Sequence, residues 1–114
     1  MKKLSVFVEN FRSIEDVIDS YNAPADALKG AKVYLAWYGY GSCDAYSLII
    51  FKKGEKLYEV NGSHCSCYGL EGQWQPEETS WKALAMRNLV SDVDGSGEAQ
   101  AILTALVKKH NKEV

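Results

Sequence analysis

The run from Lys32 to Asn61 constrains the fold most. It reads "KVYLAWYGY" (32–40), "AYSLIIF" (45–51), "KKGEK" (52–56) and "LYEVN" (57–61). β-Branched and aromatic residues dominate the first segment, as suits a pleated, half-buried surface. Strict alternation puts Tyr34, Tyr38 and Tyr40 on one face, with Val33, Leu35 and Trp37 on the other. The second segment is apolar on both faces and therefore reads as a central strand. The glycine in "KKGEK" marks a hairpin turn into the third segment. The pattern predicts a three-stranded antiparallel meander, with a fourth strand from "LSVFV" (4–8) or from 63–68.

Helices flank this centre. Ser13 stands as an N-cap with Asp16 three residues on, and Ile14, Val17, Ile18 and Tyr21 follow at helical spacing as far as Asn22. "PADALKG" (24–30) has Pro and Gly where one further helical turn would start and stop. Pro76 can open a helix with Glu77 and Glu78 in its first turn and Trp81, Leu84, Ala85 and Leu89 as its stripe. The last helix places Ala99, Ile102, Leu103, Leu106, Val107 and His110 on one face, with Lys108, Lys109 and Lys112 at its C-terminal end. The expected fold is a single α+β domain over 1–114. In it, an antiparallel sheet of three to four strands is packed on one side by N-terminal and C-terminal helices.

Such a chain of 114 residues can bury a core without a metal or disulfide staple. No apolar run approaches the roughly 18 residues a membrane helix needs. The start, "MKKLSVFVENF", lacks a signal-peptide pattern. A cytoplasmic protein with no membrane partner is expected, its three cysteines reduced. The net charge is −2 but unevenly spread. Residues 10–28 set Arg12 against Glu15, Asp16, Asp19 and Asp26, a net −3. Residues 70–98 set Lys82 and Arg87 against six acids, a net −4, and the tail carries +2. Nucleic-acid binding needs clustered Lys and Arg, so no direct nucleic-acid contact is expected. Acidic faces suit a basic protein surface, although solvated helix faces account for them equally.

The stretch "GSHCSCYGLEGQW" (62–74) concentrates one of the two histidines, two cysteines and three glycines. His64, Cys65 and Cys67, with Cys43 from the preceding loop, are candidate metal ligands by residue type. Their spacing lacks the C-x2-C pairs of zinc knuckles. A cysteine nucleophile would need His64 as its base, but adjacent strand residues point to opposite faces. The residue types favour a compact loop, with cysteines as small hydrophobes, glycines at turns, Tyr68 and Trp74 over the sheet, and Glu71 and Gln73 serving backbone groups. No cofactor is expected. "DVDGSGEAQAIL" (92–103) starts like a calcium loop at Asp92, Asp94 and Ser96, but Leu103 stands where the bidentate Glu belongs, so it reads as a polar linker. The aromatic strand at 34–40 offers a stacking or protein-binding face, and a homodimer through an open edge is compatible with it.

The segment "YGYGSCDAYSLIIF…GEKLYEVNGSHCSCYGLEGQWQPEETSW" resembles small proteins of tailed bacteriophages and prophages. The match spans residues 37 to 84 and centres on Ser63 to Trp74. The resemblance implies a phage accessory protein acting in the cytoplasm of the infected bacterium. By analogy with small acidic phage proteins, it implies an inhibitor of a host defence protein, such as a CRISPR effector, acting by steric block and not by catalysis. Glu71, Glu77 and Glu78 would then face a basic groove, with Tyr68 and Trp74 as anchors. The alternative is a metal- or small-ligand-binding module centred on His64, Cys65 and Cys67.

Overall fold

The structure, a computed structural model, describes residues 6–65 and 69–111. Among these, five strands form one mixed sheet in sequence order: β1 (Phe7–Glu9), β2 (Lys32–Tyr40), β3 (Asp44–Lys53), β4 (Lys56–Cys65) and β5 (Glu77–Thr79). The helices are α1 (Ile14–Tyr21), α2 (Trp81–Leu84) and α3 (Ser96–Asn111). The central meander of β2, β3 and β4 is antiparallel, as its patterning predicts. Lys53 pairs with Lys56 across a two-residue turn whose first residue, Gly54, has φ +65°. Hairpins of this length take glycine where φ is positive.

The remaining strands depart from the expectation. The N-terminal strand exists, but it lies parallel to β2, with Val8 opposite Trp37. A parallel neighbour needs a long crossover, and α1 with the turns after it supplies one. Residues 63–65 add no new strand; they prolong β4. Glu77 to Thr79, expected in the first turn of a helix, instead pair with Glu59 to Leu57 as β5. The helix starts later because Ser80 caps it, its Oγ accepting from the Ala83 amide at 3.0 Å. It is also short, so the expected apolar stripe stops at Leu84.

Helix α1 follows the prediction closely. Ser13 Oγ accepts from the Asp16 amide at 3.2 Å, and the Asp16 carboxylate accepts from the Arg12 amide at 2.8 Å. The helix stops at Asn22, whose φ of 53° is left-handed, and the Ala23 amide closes back on the Ile18 carbonyl. This is a Schellman-type ending. Val17 and Tyr21 are buried, while Ile14 stays 39% exposed.

The expectation of helices on one side only is corrected: both faces of the sheet are covered. One face packs Phe11, Val17, Tyr21, Ala36, Ile49, Phe51 and Leu70 under α1. The other packs Val8, Leu35, Trp37, Leu48, Ile50, Ile102 and Leu103 under α3. A bulge explains one further exchange. Val33 pairs with Phe51 and Leu35 with Ile50, leaving Tyr34 as the extra residue. Extra residues of this kind re-aim side chains. Tyr34 therefore joins Leu35 on the α3 face, and Val33 packs on the α1 face, the reverse of strict alternation.

The segment after α2 is tied to the sheet by one ion pair. Arg87 donates from Nε and Nη2 to the two oxygens of Glu59, at 3.1 and 2.8 Å, and Asn61 Nδ2 adds a bond at 2.9 Å. Burial alone would raise the pKa of this carboxyl, but the bonds from Arg87, Thr79 and Asn61 outweigh it and hold it below the ordinary value. A depressed folded pKa gives stability that is complete above the unfolded value and lost as pH falls through the folded one. Stability of the native protein should therefore fall more steeply in acid than that of Glu59→Gln, as urea unfolding at a series of pH values will read. Arg87→Met leaves the Glu59 carboxylate buried and loses about 2 kcal/mol at neutral pH by the same assay.

Candidate functional site

Register decides which side chains meet at the end of the sheet where β2 finishes, β3 begins and β4 finishes. Tyr40, Ala45 and His64 form one cross-strand row, and Tyr38, Ser47 and Gly62 form the next. Small residues sit inside each row, so the large ones can converge. Ala45 lets Tyr40 and His64 approach to a ring separation of 6.2 Å. Gly62 leaves room for Tyr21 and Leu70, both of which an added Cβ would meet at 2.8 Å. The Tyr21 hydroxyl donates to Ser47 Oγ at 2.8 Å, and burial pushes its pKa up to about 12 although the Ser47 bond opposes it.

A hydrogen-bond chain runs through the two rows. Tyr40 Oη donates to Tyr38 Oη at 3.2 Å, and Tyr38 Oη lies 2.7 Å from His64 Nε2. His64 Nδ1 lies 2.7 Å from the Cys65 carbonyl. A carbonyl only accepts, so Nδ1 carries the proton in the neutral ring and Nε2 accepts from Tyr38. Burial raises the Tyr38 pKa well above the ordinary phenol range, and the Tyr40 bond and the nearby Glu71 carboxylate push it further. Tyr38 therefore stays a protonated donor. With both nitrogens so engaged, His64 has neither one available to a neighbouring thiol in this arrangement.

Residues 69–74 close the site. Gln73 Nε2 donates to the Ser63 carbonyl at 2.9 Å, and its Oε1 accepts from the Ser63 amide at 3.0 Å. One side-chain amide thus stands in for a neighbouring strand and blunts an edge that would otherwise be open. Gly72 has φ +80°, a conformation that favours glycine. Leu70 is buried against Tyr21, and Trp74 stacks on Phe51 at 5.9 Å and meets Tyr21 edge-on at 5.4 Å. Glu71 folds back over Gly69, where a Cβ would collide with its carboxylate.

The result is an open cleft of about 670 Å³ walled by Tyr38, Tyr40, Asp44, His64, Gly69 and Glu71, with Cys43 and Cys65 also on its wall. No Lys or Arg lines it among the described residues. Its chemistry suits a cationic group, with carboxylates for the charge and a half-exposed Tyr40 ring for cation–π contact. Cys43 and Cys65 are free, exposed thiols. Among the described residues no group of three or more His, Cys, Asp or Glu is placed to hold a metal ion. Cys67 and Tyr68 lie outside the described residues.

The remaining candidates lie elsewhere. Trp74 is half-buried in the α1-side core. Glu77 and Glu78 are exposed on β5 and line a second groove beside Glu59 and Arg87, with Glu78 3.7 Å from Lys56. Of the acidic trio, only Glu71 joins the cleft. The aromatic strand, expected to offer a stacking or protein-binding face, brings Tyr38 and Tyr40 to the cleft, but only register sets them and Asp44 beside His64. The i, i+2 spacing of the two tyrosines was the signal available. Comparison with family models, curated proteins and solved structures finds no match.

Gln73→Ala should cost about 1 kcal/mol, since water replaces its bonds to exposed Ser63. Gly62→Ala should cost about 2 kcal/mol, because Leu70 and Tyr21 must move. Chemical unfolding of the two variants, followed by tryptophan fluorescence, checks both values and their order.

Proposed function

We propose that the protein is a phage accessory protein that acts by binding, occupying a functional surface of a host defence protein. One observation carries the reading: an open cleft with two carboxylates, two tyrosines and no lining Lys or Arg among the described residues. Such a cleft receives a lysine or arginine side chain of the partner. Glu71 meets its charge and Tyr40, 49% exposed, packs against its stem and head group. Glu77 and Glu78 stand apart from the cleft, on β5, and in this reading make a separate contact. Acidic groups docking on a basic groove would exclude the nucleic acid that the groove otherwise holds. CRISPR effectors present grooves of that kind, and they are the target class to test first. In this reading Trp74 holds the loop that carries Glu71.

The test is phage plating on a host with active CRISPR interference, with the protein expressed in the cell. The native protein should restore plaque formation. Glu71→Lys and Tyr40→Ala, which leave the packed faces intact, should each reduce that rescue at least tenfold. No rescue by the native protein, or equal rescue by both variants, would overturn the reading. For a second reading, a metal- or small-ligand-binding module, Cys43, His64 and Cys65 share one cleft wall, but His64 would have to release Tyr38 or the Cys65 carbonyl before it could ligate. A metal mass lost on EDTA treatment in native mass spectrometry would put it first.

A further inference from the structure

A second site lies at the opposite end and on the opposite face of the sheet. There β2 begins, β3 ends and β4 begins, and the register sets like charges side by side. Lys32 is paired with Lys52, whereas Lys53, opposite Lys56, turns to the other face, where its Nζ donates to the Ala27 carbonyl at 3.3 Å. Directly opposed like charges destabilise a sheet, and an anion over the Lys32–Lys52 pair would relieve that cost. The bulge turns Tyr34 toward α3, where it meets Trp81 edge-on at 5.1 Å and His110 at 5.3 Å. Trp81 and His110 stack at 4.3 Å with their planes 5° apart. All three rings are half-buried, and Lys32 Nζ sits 5.1 Å from the centre of the Tyr34 ring.

These rings form the floor of a groove of about 800 Å³ whose walls carry Lys52, Lys56 and Lys82, all exposed. Two carboxylates, Glu55 and Glu78, also reach it. Glu78 lies 3.7 Å from Lys56, but both side chains are 61% exposed, and a pair so solvated is easily exchanged for a better partner. Lysines beside half-buried flat rings are what a single-stranded nucleic acid needs, because the cations follow the phosphates and the rings stack bases without regard to sequence.

We propose that this groove binds single-stranded nucleic acid, with phosphates on Lys52, Lys56 and Lys82 and a base against the Trp81–His110 stack. The site is independent of the acidic cleft. It departs from the expectation of no nucleic-acid contact, which rested on charge counted along the chain. Folding gathers lysines from β3, β4 and α2 that the chain keeps apart.

Fluorescence titration with an oligothymidylate of twelve or so nucleotides, at roughly 0.05 M salt, is the test. Saturable quenching is expected, lost in Trp81→Phe if that tryptophan is the reporter. The double variant Lys52→Gln/Lys82→Gln changes only exposed side chains. It should bind at least tenfold more weakly, with a salt slope shallower by about 0.7 for each lysine removed. Quenching that never saturates, or a double variant that binds like the native protein, would overturn the proposal. So would polyglutamate of equal length competing as strongly as the oligonucleotide, which would assign the groove to acidic protein segments.

Discussion

Strand β3 is buried on both faces, and the architecture follows from that. Leu48 and Ile50 point to one side, Ile49 and Phe51 to the other, and none is more than 3% exposed. Full burial of each such side chain contributes roughly 1.5–3 kcal/mol. A strand of this kind is stable only with neighbours on both edges and a layer over each face. The antiparallel partners β2 and β4 fill the edges. α1 with its following turns covers one face, and α3 with α2 covers the other.

Small residues then set where the layers approach. A Cβ at Gly39 would overlap the Asp94 carbonyl, the same oxygen that accepts from Trp37 Nε1 at 2.8 Å. That contact brings the start of α3 down onto β2. Gly62 does the same for Leu70 on the other face. The "GSHCSCYGLEGQW" stretch thereby acquires a double role among its described residues. Gly62, Leu70, Gln73 and Trp74 attach it to the sheet, and His64 and Glu71 are left to shape a cleft.

Strand direction also separates charge. Asp44 and Glu71 gather with the phenols at the end where β2 finishes. Lys52, Lys56 and Lys82 gather with Trp81 and His110 at the end where it starts. A chain whose net charge is only −2 therefore presents two surfaces of opposite character. Recognition depends on such local fields more than on the total. The proposals for the two ends thus concern partners of opposite charge and can hold or fail separately.

The strongly patterned parts were legible in the chain. The meander of β2, β3 and β4, the Gly54 turn, the Ser13 cap and Asn22 stop of α1, and the inward face of α3 all follow from local periodicity and capping chemistry. The chain also marked Gln73 as serving backbone groups, which it does, although residues 62–65 of that compact-loop reading prolong β4. The parallel docking of β1, the capture of Glu77–Thr79 as an edge strand and the bulge that sends Tyr34 to the α3 face came only with the packed fold. It alone also set Tyr38 and Tyr40 beside His64, and the lysines beside Trp81. Each of these depends on pairing between residues far apart in the chain. Periodicity records which way a side chain faces, whereas register, which records what it faces, exists only once the strands have paired.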